Sequence, residues 1–245
     1  MEFTLPTSWG ELTQQQLRTV LTLYAVLADQ TDGMTEVKIA AWANFCRVGI
    51  QRRTDQGWLC ILLDGGGQFL LDPELMPSVL EPLGWLDHPE EMTVRVEKVG
   101  DFKAREMYLG DLAFGEFLAL ENYYQSYLVT REDECLRLMA TILYGMTKQQ
   151  AARLKPDILL GIFLWYGAAK KHWADIFCHF FKPAANGSAG TQEDQREVMN
   201  AQIRLLTKGD VTKNDQVLNT PLEPALAELD ALAREAEEIK KKYGK

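Results

Sequence analysis

The chain has 245 residues, of which 47% are hydrophobic and 25% are charged. This balance excludes disorder over most of its length, because a disordered chain needs low hydrophobicity and high charge. The net charge is −9, and nucleic-acid binding draws most of its affinity from basic residues that neutralise phosphates, so the composition argues against a nucleic-acid partner.

Three further features predict a protein that works in a cytoplasm. Residues 1–6 contain neither the basic nor the apolar part of a secretory signal. The most apolar stretch, residues 158–169, is shorter than the ~20 residues that a membrane-spanning helix needs, so we expect no membrane partner. The four cysteines are scattered without a C-x-x-C pair, which predicts reduced thiols in the core.

The first predicted elements are two helices. Thr13 and Gln16 have the spacing of a capping box, in which each side chain satisfies a backbone donor of the other residue. Apolar residues follow at helical spacing up to Ala28. A second helix is predicted to begin at Thr35.

A small β insert is predicted over residues 58–108. Two apolar runs, 58–63 and 68–71, flank the glycines at 65–67, a pattern typical of a β-hairpin. Apolar and polar residues alternate over 93–98, which predicts a half-buried strand that could extend the sheet.

Helices are predicted again after the insert. One begins near Asp111 and ends near Tyr127, and Thr130 is predicted to cap the next. Pro156 begins the most buried helix, which continues to Phe181. The expected fold class is therefore mainly α, a multi-helix domain with a small antiparallel β-hairpin insert and a C-terminal helical tail.

A linker and a terminal segment complete the expected organisation. Residues 183–192 are small and polar, as flexible linkers are. They separate a helical domain, 1–182, from a C-terminal helical segment, 193–245, which contains a helix around 198–206 and a last helix from about 223 to 242.

The last predicted helix carries a narrow apolar stripe. Leu222, Leu226 and Leu229 are its large side chains, and the same stripe continues only with Ala233 and Ala236. So narrow a stripe buries little surface against its own domain. We therefore predict that Leu222, Leu226 and Leu229 bind a partner, either a second copy of the chain or another protein.

One group of residues has the spacing of a metal site. His172, Asp175 and His179 fall on one face of a helix, and histidine and aspartate are competent zinc ligands. Three ligands without a second cluster make an incomplete site, so packing and capping roles are predicted for them instead. The glycines at 65–67 lack the spacing of a phosphate loop, and no G-x-S-x-G motif is present. We predict no catalytic residue, no bound metal and no cofactor.

Three parts of the sequence carry a resemblance. They are residues 5–13 (LPTSWGELT), the patterns F-x-x-F-x-x-x-E-x-Y-Y at 114–124 and L-x-x-M-A-x-x-L-Y at 136–144, and residues 206–213 (LTKGDVTK) with 225–238. Spread over about half of the chain, they resemble proteins of phage and prophage structural modules, of the tail-assembly kind. That family brings no catalytic residues to carry over.

The resemblance implies a helical assembly factor, in particular a tail assembly chaperone, which shields a long coiled-coil tape-measure protein until the tail polymerises. The insert at 58–108 has no counterpart in such a chaperone, which leaves a virion structural component as an alternative. The sequence thus predicts a non-enzymatic protein that binds a tape-measure or other tail protein, or a second copy of itself, in the host-cell cytoplasm. A small metal-dependent enzyme built on His172, Asp175 and His179 is the rival hypothesis.

Overall fold

The computed structural model describes residues 4–182 and 192–243 of the chain, and its fold is mainly α, as the sequence predicts. Ten α-helices lie in these residues. They are α1 (Gln14–Leu27), α2 (Gly33–Phe45), α3 (Met76–Leu80), α4 (Phe114–Thr130), α5 (Asp133–Leu143), α6 (Lys148–Ala151), α7 (Pro156–Ile176), α8 (Gln192–Thr207), α9 (Asn214–Leu218) and α10 (Leu222–Tyr243).

The predicted hairpin is confirmed and has a third strand. An antiparallel sheet in the order β1-β2-β3 contains β1 (Val48–Thr54), β2 (Gly57–Leu62) and β3 (Gln68–Leu71), and a separate two-stranded ladder contains β4 (Lys98–Val99) and β5 (Phe102–Lys103). The predicted strand at 93–98 is wrong, because residues 93–97 form no strand and Lys98 belongs to the separate ladder.

Strand β1 was not predicted, because Gln51, Arg52 and Arg53 interrupt its apolar pattern. It lies at an edge of the sheet, and its pairing with β2 shifts register between Ile50 and Arg52. Charged side chains and bulges are common at sheet edges, where they discourage pairing with a further strand. The sheet therefore begins at Val48, ahead of the predicted insert.

The chain divides into two compact units. The first contains Met1–Glu97 and Lys155–Trp165, and the second contains Lys98–Leu154 and Tyr166–Lys245. The predicted linker at 183–192 lies outside the described residues except for its last position, so its flexibility stays a prediction.

The core of the first unit is built on α1 and α2. The capping box of α1 is confirmed: the Gln16 amide donates to Thr13 Oγ1 (3.3 Å), and the Thr13 amide donates to Gln16 Oε1 (2.9 Å). Two helices alone leave an open face, which is closed by 3₁₀ turns at 9–11 and 81–87. The largest buried side chains here include Trp9, Leu17, Leu21, Val37, Trp42, Leu83 and Leu86.

Several helix ends differ from the prediction by a few residues. Thr130 does not cap the next helix, because its hydroxyl donates to the Ser126 carbonyl (3.0 Å) and it forms the last residue of α4. Arg131 then ends α4 in the left-handed region (φ 58°), and Glu132 precedes α5. Helix α7 begins at Pro156 as predicted but ends at Ile176, before the predicted Phe181.

The thiols are only partly in the core. Cys46 and Cys60 are buried, and burial raises the pKa of Cys46 to about 11 and also raises that of Cys60. The prediction of core thiols is confirmed for these two and is wrong for Cys178, which is exposed. Over the residues that the structure describes, no helix combines the length and the apolar content needed to cross a bilayer.

Candidate functional site

Helix α10 is fixed at its start to the segment that precedes α4. The Leu222 amide donates to the Leu112 carbonyl (2.9 Å), and the Phe114 amide donates to the Thr220 carbonyl (2.8 Å). These backbone bonds belong to an isolated antiparallel bridge between Ala113 and Pro221. The first turn of α10 is therefore held by backbone contacts as well as by packing.

The three leucines predicted to bind a partner are buried in the chain's own fold. Leu222 and Leu226 are 0% exposed and Leu229 is 2% exposed, and α10 contacts α4 and α8. A partner does not reach these side chains in this conformation. Partner binding by Leu222, Leu226 and Leu229 stays a prediction that requires α10 to leave this position.

Two carboxylates hold the middle of α10 to the residues after α7. Asp230 Oδ1 accepts hydrogen bonds from the amides of His179 (2.8 Å) and Phe180 (2.9 Å). Two turns after Asp230, Glu237 Oε1 accepts a hydrogen bond from Lys182 Nζ (2.7 Å). Its other oxygen, Oε2, lies 3.5 Å from His179 Nδ1. The hydrogen bond from Lys182 is the main cause that lowers the pKa of Glu237.

Beyond these contacts α10 is exposed and carries a second apolar stripe. Leu232, Ala236, Ile239 and Tyr243 recur at spacings of four, three and four residues, and we call these four residues the distal stripe. Ile239 is 60% exposed and Tyr243 is 72% exposed. Sequence reasoning missed this stripe because it followed the leucines from Leu222 through Ala233 to Ala236 and did not include Leu232 and Ile239.

The candidate metal ligands have separate partners. His172 stacks on Tyr108 with ring centroids 3.8 Å apart, and Asp175 lies 3.4 Å from Lys171. His179 faces Glu237. Within residues 4–182 and 192–243, no group of three His, Cys, Asp or Glu side chains is arranged to hold a metal ion.

A half-buried polar cluster in the second unit contains the glutamate of the resemblance pattern. Glu121 accepts hydrogen bonds from Tyr166 Oη (3.0 Å), Gln125 Nε2 (2.7 Å) and Lys170 Nζ. Burial is the main cause that raises the pKa of Tyr166, and Glu121 raises it further. Tyr166 is therefore neutral near pH 7 and satisfies the carboxylate, which is the arrangement of a structural network.

One side of the sheet in the first unit, its outer face, is largely aliphatic. Paired residues share a face, and the pairs Cys60–Phe69 and Trp58–Leu71 contain the buried Cys60 and Leu71. The alternate residues of β2 and β3, together with the residue that follows β2, form the opposite side. We define the outer face by its aliphatic residues Leu59, Ile61, Leu63 and Leu70. Two polar residues lie on the same side, Gln68, which pairs with Ile61, and Arg52, which pairs with Leu59.

The outer face is partly exposed in the chain, because Leu59 and Ile61 are half-buried whereas its other two aliphatic residues are exposed. Leu63 is 60% exposed and Leu70 is 48% exposed. A Cβ placed on Gly49 would lie 3.1 Å from Ile61 Cγ2 and 3.3 Å from Leu63 Cδ2, so these two side chains lie over the glycine of β1. An antiparallel sheet normally presents a polar face to water, and an exposed aliphatic face marks a surface for interaction.

A groove in the first unit has apolar walls as well. Its volume is about 550 Å³, and Ile39, Trp58, Met76 and Leu80 contribute to its lining. Lys38 at this groove is paired with Asp87. The volume falls within the range of small-ligand pockets, but the groove presents mainly hydrocarbon to a ligand.

Comparison with known proteins gives no match. No protein-family model, no curated protein and no solved structure matches this chain.

Proposed function

We propose that the chain is a non-enzymatic assembly protein of the phage tail-assembly kind that holds a helical client protein on the outer face of its sheet. The client would be a tape-measure protein, and the binding would take place in the cytoplasm of the host cell. The resemblance at residues 5–13, 114–124, 136–144, 206–213 and 225–238 supports the tail-assembly assignment.

The observation that carries the proposal is the aliphatic outer face. Leu59, Ile61, Leu63 and Leu70 occupy the side of β2 and β3 opposite the buried Cys60. The inner face of the sheet already packs on α2, which contacts β1. A helix placed on the outer face would complete a layered arrangement in which apolar residues are covered on both sides of the sheet.

The chemistry of the face favours an amphipathic helix as its client. A long coiled coil carries aliphatic residues at regular spacing along one side of each helix, and such a stripe is complementary to a row of leucine and isoleucine. While the client waits for assembly, its stripe would otherwise be exposed and prone to aggregation. Holding that stripe is the activity expected of a chaperone-like assembly factor.

Coexpression with the tape-measure protein tests the proposal. The wild-type chain should keep this client in the soluble fraction, whereas the double variant Leu63→Lys/Leu70→Lys should release it. Burial of a leucine contributes about 1.5–3 kcal/mol, so the loss of two should weaken binding by roughly 100-fold or more. Affinity is measured by titration of a fluorescently labelled client fragment.

The matched control is the double variant Val26→Lys/Val129→Lys, which changes two exposed valines on α1 and α4. It should bind the client as the wild type does. Equal binding by both double variants would rule out the outer face as the binding surface. A wild-type chain that does not bind the client at all would reject the tail-assembly assignment, and recovery of the chain in finished particles would favour the virion-component alternative.

A further inference from the structure

The distal stripe of α10 is an exposed apolar surface on a helix that is anchored at its other end. Leu232 is half-buried at the edge of the docked region, Ala236 is exposed, and Ile239 and Tyr243 are largely exposed. These residues occupy alternating core positions of a heptad pattern, the spacing at which two helices pack along a seam. The surface is therefore suited to a second helix.

The charges beside the stripe are ordered along the helix. Two glutamates, Glu235 and Glu238, come before Ile239 in the sequence. Three lysines, at positions 240–242, come directly after it. A segment that is acidic first and basic afterwards is complementary to a reversed copy of itself. In a parallel pair, by contrast, glutamates would lie beside glutamates and lysines beside lysines, which is unfavourable.

We propose that two copies of the chain associate through the distal stripes of α10, packed antiparallel. In this pairing Ala236 of each copy packs against Ile239 of the other, and Leu232 packs against Tyr243. The small Ala236 leaves space for the larger Ile239. The two central layers of the interface therefore each pair a small side chain with a large one, and the two outer layers each pair Leu232 with Tyr243. A twofold axis between Ala236 and Ile239 relates the copies, as is usual for homodimers.

The flanking charges fix the direction of the pairing. Glu235 and Lys242 are seven residues apart and lie on the same side of the stripe. In the antiparallel pair Glu235 of one copy faces Lys242 of the other, and symmetry repeats this contact. Glu237 takes no part, because it is already bound to Lys182 and His179 of its own chain.

The size of the stripe predicts a reversible dimer. Four side chains from each copy form an interface smaller than the roughly 1,200–2,000 Å² buried by stable complexes. The equilibrium should therefore depend on protein concentration. Dimerisation through α10 can be tested independently of client binding, since the outer face of the sheet belongs to the first unit and α10 to the second.

Sedimentation velocity over a wide range of concentrations tests the proposal. The wild-type chain should shift from monomer to dimer as its concentration rises, and Ile239→Asp should raise the dissociation constant by roughly 100-fold, because the change is present in both copies. Val26→Asp, which alters an exposed valine on α1, is the matched control and should dimerise normally. Circular dichroism checks that each variant is folded.

A charge exchange tests the antiparallel order. Glu235→Lys alone and Lys242→Glu alone should each weaken the dimer by several-fold, and the double variant Glu235→Lys/Lys242→Glu should recover it, because the exchanged pair remains complementary to itself. Failure of the double variant to recover would overturn the antiparallel arrangement. A chain that stays monomeric at all concentrations, or a dimer that Ile239→Asp does not weaken, would overturn the dimer itself.

Discussion

The two halves of α10 carry apolar stripes of similar spacing and differ in what covers them. In the first half, Leu222, Leu226 and Leu229 are buried within the second unit, to which α10 belongs. In the second half, Ile239 and Tyr243 are exposed. The hydrophobic pattern of a helix thus shows which side chains are apolar. Whether the chain's own fold or a partner buries them is set by tertiary contacts.

The division between the halves coincides with the two carboxylates. Asp230 binds the amides of His179 and Phe180, and Glu237 binds Lys182. Buried leucines before these contacts contribute to the stability of the second unit, and exposed apolar residues after them are available for association. The two halves should consequently respond to substitution in different measurements.

The largest difference is expected for alanine substitutions in the two stripes. Leu226→Ala removes a fully buried side chain and should lower the free energy of unfolding by about 2–5 kcal/mol, because it leaves a cavity. Ile239→Ala changes an exposed side chain and should alter it by less than about 0.5 kcal/mol. Urea denaturation measures both values, at a protein concentration low enough for the dimer to be dissociated. Equal losses would contradict the division of α10 into a buried and an exposed half.

A smaller effect is expected at the boundary between the halves. Asp230→Ala leaves the amides of His179 and Phe180 without their acceptor and should cost about 1–2 kcal/mol, as the loss of a helix cap does. Asp175→Ala is the matched control, since Asp175 is exposed and its contact to Lys171 lies at the surface. Urea denaturation again measures the change. If both aspartate variants were as stable as the wild type, Asp230 would not fix the position of α10.

Much of the fold could be predicted because its signals are local. The capping box at Thr13 marks the beginning of α1, and the proline at 156 marks the beginning of α7. The glycines at 65–67 separate two strands. Strand β1 could not be predicted in this way. Its Arg52 and Arg53 are compatible with a loop, and its position is set by pairing with β2.

The candidate surfaces had signals in the sequence, but the contact that fixes the middle of α10 had none. The unbroken apolar run at 58–63 already indicates a strand with two apolar faces, so the outer face had a signal in the sequence. The distal stripe had one as well, in the register of Leu232 and Ile239. The contact of Asp230 with His179 had none, because the two residues are far apart in the chain and only the fold brings them together.

The smallest effect is expected from the titration of Glu237. Lys182 and His179 lower the pKa of this carboxylate in the folded chain below its ordinary value of 4.5. The folded state therefore binds the proton less tightly than the unfolded state does. The contribution of Glu237 is present above pH 4.5 and is lost as the pH falls through the folded pKa. Because Glu237 is at the surface, only the attachment of the second half of α10 should respond.

Hydrogen–deuterium exchange over residues 234–243, corrected for the intrinsic effect of pH, measures this attachment. The wild-type helix should be better protected than Glu237→Gln at pH 6, and the difference should shrink once the pH falls below 4.5 and vanish below the folded pKa, where the wild-type carboxylate is protonated. Glu238→Gln is the matched control, because it alters the exposed neighbouring residue, and it should follow the wild type. A difference between wild type and Glu237→Gln that stays constant as the pH falls from 6 through the folded pKa would show that the charge of Glu237 does not hold α10 in place. The boundary between the two halves would then depend on Asp230 alone.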